Sequence, residues 1–191
     1  IHKVSLPSNK LFITSHSFNN QYIKSKSETH THGPKGEHFH AETASTTWLD
    51  FQFAQAHAEA ILFKLKQLKP ELGDEFTTNC NELVQEIQAL DIKMQKVSEA
   101  LKTSTLIASH PVYQYLEKRY GLSIKSLHWE PVEFPSSSEW DQLKKSLSNN
   151  TSIMIWEAEP IEETRIQLES LGVNTLVFNP CSNQPKNGDW I

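Results

Sequence analysis

The chain has 191 residues, a formal net charge of −5 and a pI of about 6.0, and 37% of its residues are hydrophobic. This acidic balance provides no basic surface for nucleic acid, and no apolar run approaches the roughly 18–20 residues that span a bilayer. The length allows one large domain or two small ones. Cys80 and Cys181 are far apart and outside any Cys-x-x-Cys pattern, which favours two unrelated thiols over one disulfide.

A histidine-rich segment near the start of the chain is the first sign of function. Residues 30–40 hold four of the nine histidines, at positions His30, His32, His38 and His40. Neutral imidazole binds zinc, copper, nickel and iron well, and the Gly-Pro-x-Gly break predicts a loop. An expression tag is the other reading, but the segment is internal and irregular. The loop predicts metal contact without distinguishing a structural site, a catalytic site and a metal-collecting tail.

The first 47 residues are otherwise polar and broken, and the apolar run at residues 11–13 predicts a short strand. The chain begins at Ile1 without Met or a signal peptide, and it stops at Ile191 just after a predicted loop. We expect both ends to be cuts through a longer protein, so the missing signal peptide says little about the compartment.

Two helices are predicted in the middle of the chain. Residues 48–68 carry apolar side chains at helical spacing, with Asp50 as N-cap and His57 as a structural histidine. Pro70 separates this helix from a longer one. The second helix has apolar residues spaced alternately by four and three, namely Leu72, Phe76, Cys80, Leu83, Ile87, Leu90, Met94, Val97 and Leu101.

Such a helix of about 30 residues would rise about 45 Å. A coiled-coil dimer is the alternative, but the flanking positions carry no regular charge code. We therefore predict a spine helix that packs along its own domains, in a monomer.

After residue 103 the pattern alternates between strand and helix. Strands are predicted at residues 104–109, 123–129, 152–156 and 173–178, and helices at 112–120, 137–147 and 161–171. Four strands joined by crossover helices indicate the α/β class with a parallel sheet. The predicted division is residues 1–47 with the histidine-rich loop, residues 48–102 with the helices, and residues 103–191 as an incomplete α/β lobe.

A polar residue follows each predicted strand: His110, Glu130, Glu157 and Asn179 in turn. Ligands bind at the carboxyl ends of the strands in open α/β sheets, so these side chains are expected to face one crevice. His110 is the sharpest candidate, with a helix-capping histidine as the alternative. Of Glu157 and Glu159, at least one is expected to be a solvated carboxylate at a helix start. No hydrolase, nucleotide or phosphate-binding motif is present, and nothing names a nucleophile.

Several motifs together resemble one family. SHPVYQYLEKRYGL at residues 109–122 resembles a characteristic stretch of the zinc- and manganese-binding proteins of bacterial ABC importers. TTWLD at 46–50 is similar to that family's Trp-Leu-Asp helix start. SLHWEP at 126–131, IWEAEP at 155–160 and VFNPCSN at 177–183 look like a subgroup with a histidine-rich loop. The resemblance implies two α/β lobes joined by one rigid helix, with metal held in the cleft between them. Residues 1–47 would then be the end of the N-terminal lobe.

The resemblance also implies a set of metal ligands. His110 matches the family's second-lobe ligand, whereas Asn179 stands where the family usually has Asp, and an amide oxygen is a weaker zinc ligand than a carboxylate. Thr46 stands where the family has a His ligand, and Phe51 replaces the proline after Trp-Leu-Asp. His38 or His40 from the loop would replace the ligand missing at Thr46. The expected set is His110, a loop histidine, a carboxylate such as Glu157 or else Asn179, and a ligand from the first lobe.

The expected function is that of a periplasmic or extracellular membrane-anchored receptor, not an enzyme. It would capture a metal ion between its lobes and deliver it to an ABC permease in the membrane. Imidazole ligands favour Zn²⁺ over Mn²⁺. The alternatives are a metal-dependent hydrolase, for which no motif supplies a general base, and a surface adhesin or metal-storage protein.

Overall fold

The structure is a computed structural model that describes residue 7 and residues 10–24, 30–31, 37–38, 43–148 and 150–181, with backbone alone at 30–31 and 37–38. Its helices are α1 (Phe51–Leu68), α2 (Gly73–Leu101), α3 (Gln114–Tyr120), α4 (Ser137–Lys144) and α5 (Glu162–Ser170). Its strands are β1 (His30–Thr31), β2 (Glu37–His38), β3 (Thr105–Ala108), β4 (Ile124–Ser126), β5 (Ser152–Trp156) and β6 (Val173–Val177). None of the described helices is long and apolar enough to cross a membrane.

A four-stranded sheet forms the centre of the second half of the chain. Its strand order is β4-β3-β5-β6, and every neighbouring pair is parallel. The predicted α/β class and parallel sheet are therefore confirmed. The strands are shorter than predicted by up to four residues, except β5, which has the predicted bounds.

Helices cover both faces of this sheet, and the alternation of side chains explains why. Leu106 and Ala108 of β3 face one core with Phe53 and Tyr115, whereas Ile107 faces a second core. That second core holds an aromatic group of Trp129, Trp140 and Trp156, packed with residues of α4 and α5. A strand buried on both faces needs the continuous apolar run seen in the sequence.

The long helix predicted from apolar spacing is confirmed as α2, which has 29 residues. The short 3-10 helix Pro70–Leu72 turns the chain so that α1 and α2 pack antiparallel. The Lys66–Thr77 and Gln55–Gln88 side-chain hydrogen bonds show this register. In the C-terminal half of α2, the side chain of Asp91 binds residues of α3.

The start of α1 also follows the prediction. The Asp50 Oδ1 accepts a hydrogen bond from the Gln52 amide at 3.0 Å, as an N-cap does. The helix begins at Phe51, three residues later than predicted, because Thr47–Leu49 form a 3-10 turn. Both cysteines are free thiols, as expected.

The strand predicted at residues 11–13 is wrong. Leu11 and Ile13 are 56% and 65% exposed, and their backbone has no regular structure. The apolar residue that anchors this region is Phe18, in the 3-10 helix His16–Gln21, whose ring stacks on Phe53 at 4.1 Å. A run of three apolar residues is too short to form a strand unless a partner strand pairs with it.

Candidate metal site

His110 lies directly beyond β3, at the carboxyl edge of the sheet. The strand ladder continues to that point, because the Ser109 amide donates to the Ile155 carbonyl oxygen and the Trp129 amide donates to the Ser109 carbonyl oxygen. Ser109 is completely buried, and the His110 side chain is only 16% exposed. The neighbouring strand exits therefore hold the backbone from which the His110 side chain extends.

Two carboxylates stand at opposite nitrogens of the His110 ring. Nε2 lies 3.4 Å from Glu130 Oε1, and Nδ1 lies 3.1 Å from Glu157 Oε1. In the present ring orientation, the Nδ1 contact falls short of a well-aligned hydrogen bond. Three residues that the sequence assigned to separate strand exits are thus brought together, as the rule for parallel sheets predicts.

These carboxylates decide the charge of the imidazole. Burial works to lower the pKa of His110, but the contact with Glu157 and the negative charges of Glu157 and Glu130 outweigh it, so the pKa is raised above the usual 6.5. Burial, together with the same Glu157 charge, raises the pKa of the Tyr113 phenol. The site is therefore a negative, partly buried edge that attracts a cation.

The distance between Nε2 and Glu130 fits two ligands on one zinc ion. Bonds of about 2.0–2.2 Å at a tetrahedral angle place two ligand atoms about 3.3 Å apart. Glu130 was expected at this edge of the sheet but is not in the ligand set expected from the sequence. In the described part of the chain, no three His, Cys, Asp or Glu side chains already stand together as a metal-binding group.

Asn179 follows β6 at the same edge of the sheet, but its amide oxygen has a local partner. Oδ1 accepts a hydrogen bond from the Cys181 amide at 2.8 Å. The chain beside it is fixed by Tyr113, whose hydroxyl donates to the Phe178 carbonyl oxygen at 2.6 Å. The role of Asn179 as a metal ligand stays a prediction.

The segment that carries Thr46 reaches the same edge. Thr46 is buried, and its hydroxyl donates to the Val112 carbonyl oxygen at 2.5 Å. Trp48 donates to the Pro180 carbonyl oxygen at 2.6 Å. Thr46 thus acts here as a hydrogen-bond donor that ties its segment to Val112, two residues beyond the predicted ligand His110.

The structure describes only part of the histidine-rich loop. The backbones of β1 and β2 pair antiparallel, with His30 opposite His38, so the two ends of the predicted loop lie side by side. His40 lies outside the described residues, as does the side chain of His38. Their assignment as ligands remains a prediction.

His57 has the structural role that the sequence predicted. Its Nδ1 lies 2.7 Å from the Thr14 hydroxyl and its Nε2 lies 2.9 Å from the Thr47 hydroxyl, so both nitrogens are engaged. Burial lowers the pKa of this ring, which favours its neutral form. The ring lines a cavity of about 610 Å³ beside the start of α1, with Tyr22 and Trp48.

The family of this chain follows from comparison with known proteins. A family model described as "Zinc-uptake complex component A periplasmic", or ZnuA, matches residues 7–191. The chain belongs to the ZnuA family. The curated "High-affinity zinc uptake system protein ZnuA" of Brucella abortus (strain 2308) is 22% identical over 144 residues, as is that of Brucella suis biovar 1 (strain 1330). Each match covers 74% of this chain but only 43% of the relative.

Solved structures with ZnuA-type folds resemble the chain as well. The metal-dependent lipoprotein YcdH of Bacillus subtilis has a TM-score of 0.70 at 22% identity, over 76% of this chain and 56% of that one. The Zn(II)-bound ZnuA-like domain of Streptococcus pneumoniae AdcA has a TM-score of 0.68 at 23% identity, over 81% and 57%. A structure of ZnuA has a TM-score of 0.66 at 17% identity, over 89% and 62%.

These findings confirm the resemblance read from the motifs and the fold of a ZnuA-type lobe with its long helix. The family is one of periplasmic zinc-uptake components, which agrees with a metal-binding protein of ABC import rather than an enzyme. The chain spans under two thirds of the length of the relatives named above. The activity of the whole protein is therefore argued below as a proposal.

Proposed function

We propose that this ZnuA-family chain binds Zn²⁺ through His110 as part of the receptor of an ABC importer. The observation that carries the proposal is the spacing at the sheet edge, where Nε2 of His110 and a Glu130 oxygen are 3.4 Å apart. Two ligand atoms of one tetrahedral zinc ion are separated by about this distance. The partial burial of His110 adds strength to a charged interaction, because water screens it less.

Glu157 has a different role in this arrangement. It meets the opposite nitrogen, Nδ1, at 3.1 Å, so its carboxylate orients the ring and makes Nε2 a better donor to the metal. The earlier prediction of Glu157 as a direct ligand therefore changes to a positioning role within the proposal. This pattern of carboxylate, imidazole and metal is common among zinc-binding histidines.

The remaining coordination positions would be filled from outside this pair. A loop imidazole, from His38 or His40, is the first candidate, and the amide oxygen of Asn179 is the second. The rest of the site is proposed to come from the part of the protein that faces this edge across a cleft. Zinc is favoured over Mn²⁺ because imidazole suits zinc and because the related AdcA domain is described as Zn(II)-bound.

The loaded protein would then pass its ion to a membrane permease. No bond is made or broken in this function, so selectivity depends on ligand type and geometry alone. The receptor is proposed to act as a monomer, either in the periplasm or as an extracellular protein anchored to the membrane, with no nucleic-acid partner.

Calorimetric titration with Zn²⁺ tests the proposal. The intact protein should bind one ion tightly, and His110→Ala should weaken that binding more than tenfold because it removes the imidazole nitrogen. His16→Ala is the matched control, since His16 is an exposed histidine in the 3-10 helix that packs against α1. Equal affinity of the two variants and the unchanged protein would move the metal away from the sheet edge and overturn the proposal.

A further inference from the structure

A second histidine stands beside His110, and neither the motifs nor the strand-exit rule assigns it a role. The His128 ring centroid lies 6.2 Å from that of His110, with the ring planes at 88°. His128 is exposed, whereas His110 is mostly buried. Glu130, already at ligand distance from His110, is two residues further along the chain.

The backbone explains why His128 and Glu130 point the same way. Beyond β4, the Leu127 and Trp129 amides still donate to the Ala108 and Ser109 carbonyl oxygens, so this segment continues beside β3. Leu127 is 8% exposed and Trp129 is 3% exposed, and both lie in the aromatic core. Side chains alternate across an extended strand, so His128 and Glu130 share the opposite side.

The ring spacing is close to that of two imidazoles on one zinc ion. With zinc–nitrogen bonds of about 2.0–2.1 Å and a tetrahedral angle, two ring centroids are about 5 Å apart. The observed centroid separation of 6.2 Å is longer than this. A rotation of the exposed His128 side chain to another rotamer would shorten it. Because no three-ligand group is already assembled among the described residues, this movement is a necessary part of the inference.

We propose that His128 turns onto the metal and completes a set of three ligands with His110 and Glu130. The inference rests on the proposed function, since it assumes that Zn²⁺ binds at His110. Two imidazoles and one carboxylate are ligands that zinc accepts, and they leave the fourth tetrahedral position for a group from another segment or for water. His128 is the most exposed of the three, so it is the ligand that an arriving ion meets first.

The sequence pattern behind this set is short. Leu127-His-Trp-Glu130 alternates two buried apolar residues with two ligating ones, and the strand ladder turns that alternation into a common face. The second imidazole therefore comes from the same lobe as His110. Zinc held in this way would stay on the sheet edge even while other ligands exchange.

Nitrogen-15 NMR of the histidine rings in the intact protein tests this inference. A metal-bound ring nitrogen changes its chemical shift, so each histidine reports its own contact during titration with Zn²⁺. His110, His128 and the control His16 are assigned by single His→Gln variants. We expect one nitrogen of His110 and one of His128 to shift together at one equivalent of zinc, with His16 unchanged.

The outcomes separate the two proposals. If His110 shifts and His128 does not, the inference about His128 is overturned and the proposed function stands. If neither ring shifts, both fail. In a parallel titration, His128→Gln should weaken zinc binding at least tenfold, and unchanged affinity would count against the three-ligand set. Circular dichroism of His128→Gln should match the unchanged protein, because this exposed side chain is not part of the core.

Discussion

The indole nitrogen of Trp48 donates a hydrogen bond to the carbonyl oxygen of Pro180 across 2.6 Å. This contact joins the turn before α1 to the chain that leaves β6, and these residues are 132 positions apart. Asn179, a predicted ligand, immediately precedes Pro180. The contact therefore links a predicted ligand position to the segment that carries Thr46.

Replacement of Trp48 by Phe should loosen the chain after β6. A smaller aromatic ring stays but the indole N–H donor is lost, at a cost of about 1 kcal/mol for one hydrogen bond. Hydrogen exchange of the Cys181 amide, which is bonded to Asn179, should become faster. Trp140→Phe is the control, because the Trp140 Nε1 has no hydrogen-bond partner in the described part of the chain. Equal exchange at Cys181 in both variants would contradict the link.

The pH dependence of zinc binding should reflect the raised pKa of His110. The metal needs the neutral ring, so affinity should fall as pH drops through a pKa above 6.5. Glu157→Gln removes the charge that raises this pKa, so the fall should move to lower pH. At pH 8 the same variant should bind zinc about tenfold more weakly, because the ring loses its orienting partner.

Glu159→Gln is the matched control for this experiment, since Glu159 is exposed and two residues away. The metal-free protein gives an independent check. A raised pKa means that protonated His110 stabilises the fold at low pH, and this stability is lost as pH rises through that pKa. Glu157→Gln should flatten this trend in urea unfolding, and an unchanged trend would show that Glu157 does not set the pKa.

An ion pair between α3 and α2 should be the strongest single contact between the α/β lobe and the long helix. Arg119 donates to Asp91 at 2.6 Å, Tyr120 donates to the same carboxylate at 2.7 Å, and Asp50 lies 3.7 Å from the guanidinium. Burial works to raise the pKa of Asp91, but these hydrogen bonds outweigh it and lower the pKa. Arg119→Ala should cost about 1–3 kcal/mol of unfolding free energy, because it leaves a partly buried carboxylate without its charged partner.

A double-mutant cycle of Arg119→Ala and Asp91→Ala measures this coupling by urea unfolding. The pair Arg165 and Glu162 on α5 is the comparison, because it is exposed to solvent and spans a single helical turn. Exposed pairs contribute little, so its coupling should be much smaller. Similar coupling energies for both pairs would show that the Arg119–Asp91 pair contributes no more than an exposed surface pair.

The histidine-rich loop should contribute to zinc binding through its second half. If His38 or His40 is a ligand, the double variant His38→Ala/His40→Ala should weaken the tight site more than tenfold in calorimetry. His30→Ala/His32→Ala removes the same number of imidazoles from the same loop and serves as the control. Equal effects of the two double variants would indicate a loop that collects metal without a specific ligand.

Much of the fold was predictable because the spacing of apolar and capping residues within short segments determines the helices and strands. The apolar spacing of α2, the cap at Asp50 and the buried run of β3 each depend on neighbours within a few residues in the chain. The run at residues 11–13 failed for the opposite reason. Its apolar side chains needed a partner strand, and Phe18 formed the packing contact instead.

The candidate site was predictable as a place but not as an arrangement. The order of strands and helices put His110, Glu130 and Glu157 at one edge, because parallel strands end on the same side. Which nitrogen each carboxylate meets was not predictable, since rotamers depend on the packing around each side chain. The same limit hid His128, whose position relative to His110 follows from the β4–β3 pairing.

The amino-acid sequence by itself determined the helices and the parallel strands of the second half of the chain, the α/β class and the residue types that gather at the sheet edge. Apolar periodicity and strand exits are properties of short segments, so they can be read without a structure. Only the tertiary structure decided that Glu130 faces Nε2 of His110 while Glu157 faces Nδ1. Contacts between segments far apart in the chain depend on register and packing, which no short segment contains.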